Sequence, residues 1–334
     1  MDTIKQPNLD TKMIRTHALL HMAKSIHSIR GAKSQGIEYA EPHIDLAAIK
    51  QKLDTLESQY YVENITRIST PNNVINTLET NIKKADIAIN KCIWHYDEAI
   101  ALPFIPTNLA VIGSGIDAIE IATIYQALGA SVDILITGDD VFPELDKDIN
   151  KTFQRYVKRL FKIKPQAEIT AFNFTDKQVQ LSATSKNKTL PDSIYDAVFI
   201  AGDRAPHNNG LTQPFMASSF PTVTWLGWTE KQLDISGLNY KAITIPWRSL
   251  GRANTDINTN GLTKLIFNTD DHTLIGGGCM GNNADEIFGE ICLAIRNQFT
   301  ADNIAHTVHA HPTLHESILL GCEVYKGTAT DVLN

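Results

Sequence analysis

The sequence predicts an α/β domain followed by an α+β domain, and three observations carry that reading. From Leu109, the stretch LAVIGSGIDAIEIATIYQALGASVDILIT reads as buried strand, glycine turn, helix, Gly129 stop and second strand, a βαβ unit. From Gln213 onward, short strands are predicted at Thr222 to Leu226, Lys241 to Pro246, Leu262 to Asn268 and Thr273 to Cys279. A helix from about Asn283 to Asn297 and another after Pro312 complete that second pattern. With 43% hydrophobic residues in 334, the chain can fill the cores of two or three ordinary domains.

The elements follow in order. Leu19, Met22, Ile26 and Ile29 recur at three-four spacing between Ile14 and about Ser34, as do Leu46, Ile49, Leu53, Leu56 and Tyr60 from about Asp45. Two amphipathic helices broken near Gly36 and Pro42 are expected, forming a hairpin. Tyr61 to Asn90 alternates β-branched runs with turn residues such as Thr70-Pro71-Asn72-Asn73, the pattern of a small strand meander. After the βαβ unit a helix follows Pro143, then strands near Ala167 to Phe172, Gln178 to Ser182 and Ala197 to Ala201. The expected domains are 1–107, 108–212 and 213–334.

Composition excludes several classes. Lys plus Arg total 30 against 37 Asp plus Glu, a formal charge of -7, so no global basic field points to nucleic acid or to an anionic membrane. No run approaches the roughly 18 apolar residues of a membrane span, and the start has no signal-peptide core. Cys92, Cys279, Cys292 and Cys322 are widely spaced, with no zinc-type cluster. His17, His21 and His27 share a helix, but their spacing makes no metal face, so no metal is expected. The expected compartment is the reducing cytoplasm.

Gly113-Ser114-Gly115-Ile116-Asp117-Ala118 stands between strand and helix, as a Rossmann-like dinucleotide turn requires. Gly113 makes the turn, Gly115 admits a pyrophosphate, and Ala118 supplies the small residue for helix-strand packing; Glu120 completes the NAD-type set. The motif also expects an acid about 20 positions on to hold the ribose hydroxyls. Ile136 stands there, with Asp139 and Asp140 a few residues late, and Asp117 brings a negative charge to the phosphate position. The turn's own need for glycine accounts for the motif, while NAD(H) binding stays open.

His309-Ala310-His311-Pro312-Thr313-Leu314-His315-Glu316 is the most specific signal, supported in order by Thr222 to Lys231, Ile245-Pro246-Trp247 with Gly251-Arg252-Ala253, and Gly261 to Phe267. These segments resemble dihydrolipoamide dehydrogenase, within the pyridine nucleotide–disulfide oxidoreductases, and Ala18 to Lys24 resembles the helix after that family's redox disulfide. The resemblance implies a remnant of the flavin domain at 1–107, a Rossmann-like NAD-type domain at 108–212 and a C-terminal α+β dimerisation domain at 213–334. The family's two redox cysteines fall at Asn8 and Met13, which cannot form a disulfide. Trp94-His95-Tyr96-Asp97-Glu98 replaces the family's small-residue connection, Asp203 replaces a glycine near the nicotinamide nucleotide, and the later flavin segment is missing before Gln213. FAD is therefore not expected.

The resemblance implies that His311 serves as a base oriented by Glu316 and acts on the opposite subunit. A base contributes roughly 10² to 10⁴ in rate and cannot replace a lost electron carrier. The local alternative has Pro312 opening a helix whose first N–H groups Thr313 and Glu316 cap. Trp225, Trp228 and Trp247 read as core or interface anchors. The expected function is a catalytically inactive dehydrogenase-like subunit, structural or regulatory, in or near a 2-oxoacid dehydrogenase complex. It would form a homodimer, or a heterodimer with an intact dihydrolipoamide dehydrogenase that uses His311 and Glu316. An NAD(H)-binding oxidoreductase component and a nucleotide-sensing module are the alternatives.

Overall fold

A computed structural model describes residues 11–59, 91–175, 177–202, 213–255 and 260–330. They fall into two compact units. The first draws on Met1–Lys33, Glu38–Asp139 and Leu160–Asp203, the second on Ser34–Ile37, Asp140–Arg159 and Arg204–Asn334. Among the described residues no helix is long and apolar enough to cross a membrane.

In the first unit the two predicted helices form, α1 over Thr11–Gly31 and α2 over Leu46–Gln59. The three-four pattern of α1 puts Leu19, Ala23 and Ile26 inside, while the Asp45 carboxylate accepts the Ala48 N–H at 3.0 Å and so starts α2. The hairpin also holds a charge cluster: buried Arg15 donates from Nη1 to Asp54 and Glu57 of α2, both at 3.0 Å, and from Nε to the Ile100 carbonyl at 2.9 Å. The meander expected over Tyr61 to Asn90 lies outside the described residues.

Next come β1 (Ile93–Trp94), α3 (Tyr96–Ile100), β2 (Asn108–Ile112), α4 (Gly115–Ala127) and β3 (Ser131–Leu135). They are followed by β4 (Phe161–Lys164), β5 (Ala167–Phe174), β6 (Val179–Ser185), β7 (Lys188–Thr189), β8 (Ser193–Tyr195) and β9 (Ala197–Ile200). A parallel sheet runs in the order β1-β9-β2-β3-β4, and the antiparallel strands β5 to β8 form a second sheet. The expected βαβ unit is β2-α4-β3. Leu109, Ala110 and Val111 are fully buried, as a strand covered on both faces must be.

The second unit begins with α5 (Lys147–Val157) and holds β10 (Phe215–Ala217), β11 (Thr222–Gly227), α6 (Glu230–Ser236), β12 (Tyr240–Pro246), α7 (Gly251–Thr255), β13 (Leu262–Asn268) and β14 (Leu274–Gly281). Helices α8 (Ala284–Arg296), α9 (Ala301–Ala305) and α10 (Glu316–Lys326) follow. The antiparallel order is β10-β11-β14-β13-β12, so the four predicted strands are four consecutive members of the sheet, with β12 at its edge. Trp247 is buried beside Gly261 and Gly281, and a Cβ at either glycine would overlap the indole; Trp247 Nε1 donates to Thr263 Oγ1 at 2.9 Å. That packing requires glycine at both places.

Lys264 on β13 is 1% exposed, and three carboxylates surround its ammonium: Glu230 at 2.5 Å, Asp148 at 2.8 Å and buried Asp146 at 3.1 Å. The Asp146 contact is ionic rather than an aligned hydrogen bond, and its other oxygen accepts the Glu230 N–H at 2.9 Å. Burial raises the Asp146 carboxyl above its ordinary value against the pull of Lys264. For Lys264, burial is outweighed by its bonds to Asp148 and Glu230, which hold the ammonium above its usual range. Replacing Lys264 by Met strands a buried carboxylate, and urea unfolding at neutral pH should show a loss of about 3–5 kcal/mol. A buried carboxyl with a raised pKa favours the folded state as pH falls, so that deficit should shrink toward acid.

Candidate functional site

Two local arrangements carry the chemistry the sequence points to. The glycine turn is the first. Gly113 has φ +119, its N–H bonds the Leu135 carbonyl at 2.9 Å, and a Cβ there would stand 2.9 Å from that of Ala201. The fold itself therefore demands this glycine. Gly115, at φ +86, has open space where a Cβ would point, and α4 starts there with Ser114 at its N-cap. Ala118 and Glu120 are buried in α4, as is Asp117 in its first turn.

The ribose position is closed to hydrogen bonding. Ile136 is fully buried, its N–H bonds the Lys164 carbonyl at 3.1 Å, and its carbonyl accepts the Ala167 N–H at 2.8 Å. The exposed Asp139, three residues further on, accepts Gln166 Nε2 on its two oxygens at 3.0 and 3.2 Å. The turn thus fits a dinucleotide's phosphates sterically, but the residue expected to anchor the ribose does not fit. Asp203, the other residue set against NAD binding, lies outside the described residues.

The second arrangement is the loop before α10. The exposed His311 ring is 2.8 Å from Glu316 through Nδ1 and Oε1, and Glu316 Oε2 accepts the Thr313 N–H at 2.8 Å. A carboxylate only accepts, so Nδ1 carries the proton and the lone pair of a neutral ring sits on Nε2. The sequence brings these two together through five residues of chain, and His311 and Glu316 are the pair expected. The helix start is not as expected. Helix α10 begins at Glu316, not Pro312, because Thr313 Oγ1 donates to the Ala310 carbonyl instead of capping, and Leu314 and His315 wind the first turn.

Sequence reasoning missed Glu290. From α8 its two oxygens meet His309 Nε2 at 2.7 Å and His315 Nδ1 at 2.6 Å, so one carboxylate fastens the loop on both sides of His311. His309 is nearly buried and its Nδ1 faces the Thr307 carbonyl at 2.9 Å. The available signal was a lone acid in the apolar run Ile287 to Ile291. Among the described residues, the His17, His21 and His27 helix gathers no metal-type cluster; the one grouping, Asp146, Asp148 and Glu230, encloses Lys264.

With this geometry in place, the comparisons define the class. Residues 214–320 match the family described as pyridine nucleotide-disulphide oxidoreductase, dimerisation domain, and residues 108–187 match pyridine nucleotide-disulphide oxidoreductase. The chain belongs to the pyridine nucleotide-disulphide oxidoreductase family. Within it the chain is dihydrolipoyl dehydrogenase-like: it is 28% identical to the dihydrolipoyl dehydrogenases of Vibrio parahaemolyticus, over 98% of this chain and 89% of that one, and of Haemophilus influenzae, over 98% and 88%. LpdA from Mycobacterium tuberculosis shares the fold with a TM-score of 0.74 at 14% identity, covering 93% of this chain and 89% of that one.

Partial burial pushes the Glu316 carboxyl up, but its bonds to His311 and the Thr313 N–H and the nearby histidine charge leave it below the ordinary range. Its contribution is present above the unfolded carboxylate pKa and is lost as pH falls through the depressed folded one. Hydrogen exchange should show Thr313 amide protection collapsing in that acid window. Glu316→Gln should abolish the acid step and speed exchange at neutral pH about tenfold.

Proposed function

We propose that this chain is a catalytically inactive, dihydrolipoamide dehydrogenase-like subunit that acts through its dimerisation domain, in the cytoplasm, in or beside a 2-oxoacid dehydrogenase complex. The observation that carries the reading is the state of the thiols. Burial pushes Cys279 and Cys322 up to about 12 and Cys292 up to about 11, and Cys92 is raised by burial and by Asp196. Met13, where the resemblance puts the second redox cysteine, lies on α1 with its side chain partly exposed; Asn8 lies outside the described residues. A nucleophilic thiolate needs the opposite environment.

The flavin connection supports the same reading. Where the family has small residues, Trp94 is buried against Phe104 and Tyr125, the Tyr96 hydroxyl bonds Thr16, and Asp97 pairs with Lys12. Tyr96 and Asp97 fasten α3 to α1, and with the buried Trp94 they do not fit a cradle for a cofactor. The aligned span with the Vibrio relative, 423 residues, exceeds this chain's 334, so that relative holds internal segments without counterpart here.

The second reading is a heterodimer in which His311 and Glu316 serve the disulfide of an intact dihydrolipoamide dehydrogenase. The orientation of the pair favours it: Nδ1 is anchored and Nε2 sits on an exposed ring. Such a partner could enter a twofold interface built from one shared patch. In that complex His311 would exchange a proton at Nε2, Glu316 would hold the ring, and the partner would supply the flavin and thiols.

The purified chain should dimerise, lack visible flavin absorption, release no heat with millimolar NADH in calorimetry, and show no dihydrolipoamide oxidation. Flavin bands with turnover would overturn the leading reading. Co-expression with the host's intact dehydrogenase and native mass spectrometry decides the second: a mixed dimer whose activity falls roughly a hundredfold or more with His311→Gln supports it, and homodimers alone end it.

A further inference from the structure

The second unit carries a cationic face unrelated to the His311 loop. Lys147, Lys151 and Arg155 recur every four residues along α5, and Lys158 and Arg159 extend the series past its end. All five are exposed, and among the described residues none forms an ion pair or a side-chain hydrogen bond. Four-residue spacing puts successive charges on one side of a helix, about 6 Å apart. In a chain of formal charge -7, five adjacent unneutralised cations are a local reversal of sign.

The reason for the missing neutralisation lies on the same segment. Asp148, the one acid within α5, spends Oδ1 on Lys264 at 2.8 Å and Oδ2 on Thr244 Oγ1 at 3.1 Å. Asp146, at the N-cap, is buried against the same ammonium. Asp148, which on a solvated helix would face Lys151 at i+3, is turned inward instead. The opposite side of α5 is fixed as well: Ile149, Phe153 and Val157 are fully buried, and the Asn150 side chain bonds the Phe142 N–H at 2.8 Å and its carbonyl at 2.7 Å. The stripe is held rigid before any partner arrives.

We infer that the outer face of α5, formed by Lys147, Lys151, Arg155, Lys158 and Arg159, docks an acidic polypeptide segment. Carboxylates on alternate residues of an extended chain repeat at about 6.6 Å, and on successive turns of a helix at about 6 Å, so either form meets the stripe in register. Single-stranded nucleic acid would want aromatic platforms beside the cations, and of the two rings on α5 Phe153 is buried in the core and Tyr156 is half-buried against Phe220. A membrane would want an apolar face to insert, and that of α5 is spent on the core. The net negative charge of the chain also opposes an extended polyanion at long range and spares a short acidic segment.

The test is fluorescence polarisation with the full chain and a labelled peptide of alternating glutamate and serine long enough to span the stripe. Saturable binding that weakens as salt rises is expected. The double variant Lys151→Glu with Arg155→Glu should bind at least about tenfold more weakly. Because both side chains are exposed, its urea midpoint should stay at the wild-type value. Lys186→Glu with Lys188→Glu, a reversal of two exposed lysines in the first unit, should leave binding unchanged. Failure of the peptide to bind, or equal binding by both variants, overturns the inference. So does preferential binding of an oligothymidylate or of phosphatidylserine vesicles over the peptide. None of these outcomes depends on the redox state or on the dimer partner of the chain.

Discussion

The second unit turns on one buried cation. A lysine ammonium at 1% exposure is tolerable only when carboxylates replace its lost water, and Lys264 draws them from three separate places: the N-cap of α5, its first turn, and the first residue of α6. That demand explains why residues 140–159, which follow β3 in sequence, belong with the antiparallel sheet rather than with the parallel one. It also sets the surface. Once Asp146 and Asp148 are committed to Lys264, the solvent face of α5 is left with cations alone. A core electrostatic constraint has written the charge pattern of an exposed helix.

The glycines obey a different constraint, backbone room. Gly261 and Gly281 lie where a Cβ would collide with Trp247, and Gly113 lies where one would collide with Ala201 at a positive φ. In each case a packing partner within the same unit demands the residue. The first glycine of a dinucleotide turn is therefore poor testimony for a dinucleotide, since the strand-helix junction would select it without a ligand. Gly115 is more informative, because open space lies beside it; against it stands Ile136, whose backbone is bonded to Lys164 and Ala167 and whose side chain is buried.

What the sequence made legible follows from the range of the interactions. Leu262 to Asn268 could be delimited to the residue because a buried strand between turns leaves a local pattern. The paired strands Ile93–Trp94 and Phe215–Ala217 are too short to show any period. His311 with Glu316 was legible because five residues separate them, and Glu290 was not because its partners lie 19 and 25 residues away. The rule that proline opens a helix failed at Pro312 because Thr313 Oγ1 turns back to the Ala310 carbonyl instead of capping, while Glu316 does accept the Thr313 N–H. Nothing local marks the lysine within Leu262 to Asn268 as buried, since its three carboxylates lie far away in sequence, and a global charge of -7 conceals the stripe on α5.

The His311 loop shows which half of a chemistry a fold can keep by itself. Holding an imidazole in one tautomer needs only a carboxylate at the right distance, and holding the loop needs only Glu290 behind it; both are packing and hydrogen-bonding tasks that the second unit performs within its own residues. Moving electrons needs a low-pKa thiol pair and a flavin, and the four cysteines here sit where burial suppresses the thiolate. On the proposed reading an exposed, oriented base waits for a partner's electron carrier, whereas residues 214–320 match a dimerisation domain. That asymmetry is the argument behind the proposed role in association, in which His311 would be the residue that carries chemistry to a partner.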